Sequence, residues 1–220
     1  MPQQTIRPIQ MLLYDIFPKG RVLAEPLRPT DDQLREVAAE ANSAIQELQA
    51  KVGRERREAA EISFPRGYLL EISRWRFALQ FVRSSLVRNS VADTLMMHDV
   101  QGWVLYRTDL AAHARDMLVK SAIGVLGSIA EALLIDATTP PMGQRQKFAS
   151  RVQRLQEEGV LQEPAAEDLR WLWEIRNRQH LHALTAREFD VYTSKDHPRA
   201  EATVAALIIS LQSRAVAPAA

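Results

Sequence analysis

Apolar side chains recur every three or four residues through most of the chain after residue 66, and this spacing is the strongest constraint on its fold. It is the period of one face of an α-helix, whereas a half-buried strand would alternate every second residue. Strand-type alternation is almost absent, and prolines and glycines divide the pattern into segments. The sequence therefore predicts an all-α protein, an up-and-down helical bundle whose core comes from Leu110 to Leu211.

Capping residues and helix breakers indicate where the individual helices begin and end. We expect the segment from Ile72 to Leu86 to be helical, although residues 62–72 could instead form a short hairpin around the turn at Pro65. Further helices are expected to begin at Asn89 or Ser90, at Thr108, at Pro164 and after Asp196, and one is expected to end at Gly159.

The first 65 residues differ in character from the rest. Their first 30 positions hold Pro2, Pro8, Pro18, Pro26 and Pro29, which predicts an extended arm. Thr30 is expected to cap a charged helix with a narrow apolar seam that continues through Glu58. The seam would contact either a protein partner, through residues 30–58, or its own domain. It holds fewer than three heptads, which is too few to favour an intermolecular coiled coil over packing on its own domain. We therefore divide the chain into an arm and helix, residues 1–65, and a bundle, residues 66–220.

Composition excludes several classes of protein. The 220 residues carry a formal net charge of +1, so a nucleic acid would have to be held by a local basic patch. Absence of cysteine removes disulfides, thiolate zinc sites and cysteine nucleophiles, and agrees with a cytoplasmic location. The first residues lack the pattern of a secretion signal. The most apolar run, Ser121 to Ile135, contains Glu131 and is shorter than a bilayer span, so no membrane association is expected.

Chemistry-bearing side chains concentrate in one heptapeptide, residues 176–182. Arg176 and Arg178 supply planar cations suited to phosphate, and His180 and His182 can exchange protons near neutral pH. Asn177 stands between the arginines and could orient a substrate or hold Arg176. Together these residue types indicate a phosphodiester substrate.

Other interpretations of these residues remain open. Arginine and histidine in the last turn of a helix also oppose its dipole and satisfy free carbonyls. His180 and His182 would diverge at a helix end, and no carboxylate or thiolate stands at ligand spacing from them, so no metal or other cofactor is predicted. Glu131 could be a buried partner of Arg176 or the solvent-side residue of its helix, with the second interpretation slightly favoured. Trp171 and Trp173 fit core packing better than base stacking.

The order of elements from about Leu110 to Leu211 resembles the HEPN superfamily. An alanine-rich helix ends in SIAEALL, a short helix closes with EEGVL, and EDLRWLWEIRNRQHLH precedes a loop and a last helix. HEPN domains carry an arginine, usually followed by a polar residue, and a histidine separated from that arginine by four to six residues. Arg176, Asn177 and His182 satisfy this pattern, with five residues between Arg176 and His182, whereas His180 lies closer than the usual interval.

The resemblance, over roughly residues 108–214, implies a homodimer in which the two motifs face one another. In active members it also implies metal-independent cleavage of RNA, as in toxins and proteins of phage defence. Arg176, Asn177, His180 and His182 would then form the catalytic set, and Arg178 would bind substrate. The alternative is a non-catalytic HEPN-like protein that serves dimerisation or partner binding.

Overall fold

The computed structural model describes residues 30–65, 68–140, 142–143, 145–178, 192–193 and 195–216. These residues form seven α-helices and one short 3-10 helix, Glu58–Ala60, and contain no strand, which confirms the predicted all-α bundle. The predicted N-terminal arm, residues 1–29, lies outside them. The α-helices are α1 (Asp31–Val52), α2 (Ile72–Ala78), α3 (Ser85–Arg107), α4 (Ala112–Thr138), α5 (Phe148–Glu157), α6 (Glu163–Asn177) and α7 (Asp196–Val216).

The described residues belong to two compact units, and residues 30–65 form part of the first. Its helix α1 begins at Thr30, as predicted, with the Thr30 hydroxyl accepting from the Gln33 N–H and the Gln33 side chain accepting from the Thr30 N–H. The helix ends at Val52, so the prediction that it continues through Glu58 is wrong. Gly53 stops it by adopting a φ of 61°, which favours glycine. None of the residues of α1 is buried.

The second unit contains α2 to α7, and α4 lies at its centre. This 27-residue helix packs against α3, α5, α6 and α7. Its inward residues, including Ala122, Leu126 and Leu133, are at most 1% exposed because helices cover it on several sides. The core extends further upstream than the predicted limit of Leu110: Trp75 and Leu95 are also buried.

Helix α4 is longer than the apolar run that the sequence suggested. It is long and apolar enough to cross a membrane by length and composition alone, and the expectation of no membrane association stays a prediction. Half of its most apolar window is buried within the bundle, which is also the character of the central helix of a helical core.

The chain between α2 and α3 breaks where the sequence predicted a continuous helix. Helix α2 ends at Ala78, and α3 begins directly after Ser84, earlier than the predicted Asn89 or Ser90. The Ser84 hydroxyl accepts from the Val87 N–H at 3.3 Å, which caps α3. The carboxylate of Asp136 on α4 accepts from the backbone N–H groups of Arg83 and Ser84, at 2.9 and 3.0 Å. A contact from another helix therefore fixes this break.

Thr108 closes α3, and the prediction that it caps α4 is wrong. Its hydroxyl donates to the carbonyl of Val104 at 2.7 Å and accepts from the Leu110 N–H at 3.3 Å, while α4 begins at Ala112. Residues 61–65 and 68–71 contain no strand, so the alternative hairpin is absent from them. Gly159 follows α5 with a φ of 71°, as predicted for a glycine at a helix end.

Candidate functional site

Arg176 lies in the last turn of α6, which ends at Asn177. Of the predicted catalytic and substrate-binding residues, the structure describes Arg176, Asn177 and Arg178. The two predicted histidines, His180 and His182, fall within residues 179–191, which lie outside the described part of the chain. The structure therefore shows the arginine half of the predicted motif.

The Arg176 side chain crosses α4 at a glycine. A Cβ atom added to Gly127 would lie 2.8 Å from Cγ of Arg176, closer than real Cβ atoms pack, and a tight 3.1 Å from its Cβ. Because residues four apart share a helix face, Glu131 lies one turn further along α4 on the same side. The Arg176 Nη2 atom reaches its carboxylate oxygen Oε2 at 3.6 Å. The glycine thus leaves room for an arginine that spans two helices.

Two further contacts orient the guanidinium. Its carbon lies 4.8 Å from the ring centroid of Trp173, and its Nη1 atom donates to the side-chain oxygen of Asn177 at 3.2 Å. Trp173 is itself held in place, because its ring stacks on Phe148 of α5 at 4.4 Å with an interplanar angle of 5°. We call Glu131, Trp173, Arg176 and Asn177 the arginine site.

The arginine site is partly open to solvent. The side chains of Arg176 and Glu131 are 27% and 39% exposed. Glu131 is therefore the ion-pair partner of Arg176, as the first interpretation held. Its side chain is nevertheless partly exposed to solvent, as the second interpretation held. An ion pair at 3.6 Å with this exposure is weak, and a phosphate could replace the carboxylate as the partner of the arginine.

Trp171 and Trp173 pack against other side chains but are only half-buried, so the favoured interpretation of core packing is not confirmed. Trp171 carries the guanidinium of Arg199 over its ring at 4.1 Å, and Arg199 also forms an ion pair with Asp168 at 2.7 Å. Tyr192, 2% exposed, donates its hydroxyl to the carbonyl of Ile175 at 3.3 Å. This contact fixes Tyr192 at the end of α6, beside the arginine site.

A second polar cluster, which sequence reasoning missed, lies between α3 and α7. The Nε2 atoms of His98 and His197 are 3.0 Å apart, and Tyr106 places its hydroxyl 2.6 Å from Nδ1 of His197. Glu201 faces both rings: its Oε1 lies 3.8 Å from His98 Nε2 and its Oε2 lies 3.9 Å from His197 Nδ1. We call these four residues the histidine cluster. His98, His197 and Glu201 are each at most 4% exposed.

Burial keeps the histidine cluster electrically neutral. It lowers the pKa of His98 to about 4, and it lowers the pKa of His197 as well, with further contributions from His98 and Arg115. Burial, assisted by the charge of Asp99, raises the pKa of Glu201 to about 8. At neutral pH the two imidazoles are therefore uncharged and retain lone pairs.

A sequence signal for this cluster does exist. His197 and Glu201 stand four residues apart on the helix that carries the inward Val204 and Ile208, so they share the buried face. His98 stands among apolar residues of α3, and nothing local indicates that it meets His197, 99 residues away. The pairing depends on how the two helices pack.

The chain was compared with known protein families, curated proteins and solved structures. No protein-family model, no curated protein and no solved structure gives a significant match to the chain.

Proposed function

We propose that the chain is a HEPN-type, metal-independent RNA endonuclease of the toxin or phage-defence kind, acting through Arg176 and His182. The observation that supports this most is the position of Arg176. Its guanidinium is oriented by Trp173, Glu131 and Asn177, and its side chain remains 27% exposed. An oriented, accessible cation at a helix end is what a phosphate-binding group requires.

The proposed reaction uses the ribose 2′-hydroxyl as the nucleophile. A histidine, His182 in this assignment, removes the 2′-hydroxyl proton as the oxygen attacks the neighbouring phosphorus. The bond from phosphorus to the 5′-oxygen breaks, and that oxygen takes up a proton. The products are a 2′,3′-cyclic phosphate and a free 5′-hydroxyl.

Arg176 would stabilise the charge that develops on the phosphoryl oxygens. Asn177, which accepts from Arg176 Nη1, would keep the guanidinium plane in one orientation. Arg178 follows on the exposed surface at the end of α6 and could hold a flanking phosphate. His180 is the alternative base if His182 is not the one used.

The proposal includes a homodimer that brings two motifs to one cleft. A single arginine and a single histidine form a sparse catalytic set, and two copies related by a twofold axis would double it. RNA would be the substrate of the paired motifs.

A second candidate function is partner binding by a non-catalytic HEPN-like protein. The exposed apolar side chains of α1 favour it: Leu34, Val37 and Ile45 are 53%, 65% and 42% exposed. In this case residues 30–58 would recruit a protein partner, and RNA would stay intact with the wild type as well as with Arg176 variants.

The decisive experiment measures RNA integrity with the purified full-length chain and its variants. Arg176→Ala and His182→Ala should each reduce cleavage by roughly 100-fold or more, because each removes an electrostatic or acid-base contribution. His113→Ala is the control, since this exposed histidine lies on α4 outside both clusters. Circular dichroism should show that all variants keep the helical fold.

The chemistry is tested in the same assay. Cleavage should persist in chelator at a temperature where the protein stays folded, and the fragments should end in 2′,3′-cyclic phosphate. If His180→Ala abolishes cleavage and His182→Ala does not, the base is His180. Wild-type activity in all three of Arg176→Ala, His180→Ala and His182→Ala would refute the proposed site.

A further inference from the structure

The histidine cluster brings three potential metal ligands to one buried point. Within the described part of the chain, His98, His197 and Glu201 each offer a ligand atom, and these atoms all lie within 4.8 Å of one another. Tetrahedral zinc, with bonds of about 2.0–2.1 Å, places its ligand atoms roughly 3.3 Å apart. The measured separations of 3.0 Å between the two Nε2 atoms and 3.8 Å from His98 Nε2 to Glu201 Oε1 bracket this value.

The contacts of Glu201 point the same way. Its carboxylate oxygens approach the imidazole nitrogens of His98 and His197 at 3.8 and 3.9 Å, beyond hydrogen-bond distance. Buried carboxylates are normally hydrogen-bonded, paired or bound to metal. The Glu201 carboxylate therefore accepts no hydrogen bond from either ring, while the two Nε2 atoms lie at hydrogen-bond distance from each other.

We propose that His98, His197 and Glu201 bind a divalent transition-metal ion, with zinc as the preferred ion. Imidazole nitrogen and carboxylate oxygen suit zinc, and two nitrogen ligands disfavour magnesium and calcium, which prefer oxygen ligands alone. Three protein ligands leave a fourth coordination position for water or another small ligand.

Tyr106 supplies an outer contact for His197, whereas Nδ1 of His98 is buried without a hydrogen-bond partner. Histidines that bind metal usually give their second ring N–H to an oxygen, which fixes the ring orientation. His197 would bind through Nε2, and its Nδ1 already lies 2.6 Å from the Tyr106 hydroxyl. Tyr106 would act as the acceptor in the metal-bound form.

A metal at this point would join α3 to the first two turns of α7. His98 and Tyr106 lie on α3, and His197 and Glu201 lie on α7. Binding energy at a site that is assembled only by folding adds to the stability of the folded protein. The ion would therefore act as a clamp between two helices, separate from the arginine site.

The test uses the full chain, freed of metal with chelator and then titrated with zinc or cobalt. Wild type should bind one equivalent, show the visible absorption of tetrahedral cobalt and melt at a higher temperature with zinc. His98→Asn and Glu201→Gln should weaken zinc binding beyond the roughly 10–100-fold that loss of an outer partner costs, and Tyr106→Phe should fall within that range. His113→Asn should bind as wild type does.

Glu201→Gln is the most informative variant, because glutamine keeps the size of the side chain while losing the anionic oxygen. Circular dichroism of the metal-free variants establishes that they are folded before titration. Absence of stoichiometric zinc or cobalt binding by wild type would overturn the proposal. So would undiminished binding by both His98→Asn and Glu201→Gln.

Discussion

Arg176 of α6 crosses α4 at Gly127, where an added Cβ would lie 2.8 Å from the arginine Cγ. The same helix face presents Glu131 one turn later, and its carboxylate lies 3.6 Å from Arg176 Nη2. Gly127, which has no side chain, leaves room for the arginine to cross α4, and Glu131, four positions later, forms an ion pair with its guanidinium. This relationship links the packing of the bundle to the candidate site.

Gly127→Ala should displace Arg176 and destabilise the bundle. Overpacking of a close helix contact typically costs about 1–3 kcal/mol, which urea unfolding would measure, and the shift should also lower RNA cleavage. Gly102→Ala is the matched control, because its Cβ would meet Tyr68 Oη at an ordinary 3.6 Å. That control should gain up to about 1 kcal/mol from better helix propensity. Equal stability and activity of Gly127→Ala and wild type would contradict the packing argument.

Arg176→Lys should lose activity while the positive charge is kept. Lysine lacks the planar fork that meets two phosphoryl oxygens at once, so cleavage should fall by roughly 100-fold. Stability should change by less than about 1 kcal/mol, because the ion pair with Glu131 is partly exposed. Initial rates on a labelled RNA measure the first effect and thermal unfolding measures the second.

Arg178→Lys is the matched substitution two positions later. Its side chain is exposed, and a lysine can still attract a phosphate as a point charge. Its rate should stay close to that of wild type. If Arg178→Lys lost as much activity as Arg176→Lys, the catalytic cation would have been assigned to the wrong residue.

The protein should be a homodimer if two motifs share a cleft. Light scattering at micromolar concentration should give about twice the chain mass of 24.9 kDa. Mixing inactive Arg176→Ala chains with inactive His182→Ala chains should restore part of the cleavage, because some heterodimers would carry one intact pair of groups. A strict monomer would exclude a composite site.

Arg151→Met should destabilise the protein through a buried contact. Arg151 is 2% exposed, and it donates to Thr138 Oγ1 at 2.5 Å and to the Gly143 carbonyl at 2.6 Å. Leaving Thr138 without this donor should cost about 1–3 kcal/mol in urea unfolding. Arg145→Met, on the exposed neighbouring turn, should stay within about 0.5 kcal/mol of wild type. Equal losses for both variants would show that the buried contacts of Arg151 contribute little.

The signals that act within one turn of helix were sufficient for much of the fold. The capping box at Thr30, the positive φ of Gly159 and the start of α7 at Asp196 each involve neighbours close in sequence. The predicted helix starts at Asn89 or Ser90 and at Thr108 failed. At the first of these, the Asp136 carboxylate of another helix holds the backbone where α3 begins.

The sequence by itself determined that the chain is helical and that Arg176 and Asn177 stand at a helix end, because helical period and capping depend on residues a few positions apart. Only the tertiary structure decided that Arg176 meets Glu131 and that His98 meets His197, which is 99 residues away. These contacts depend on the rotation and crossing of packed helices. Such geometry results from the interlocking of many side chains at once, and no short segment encodes it.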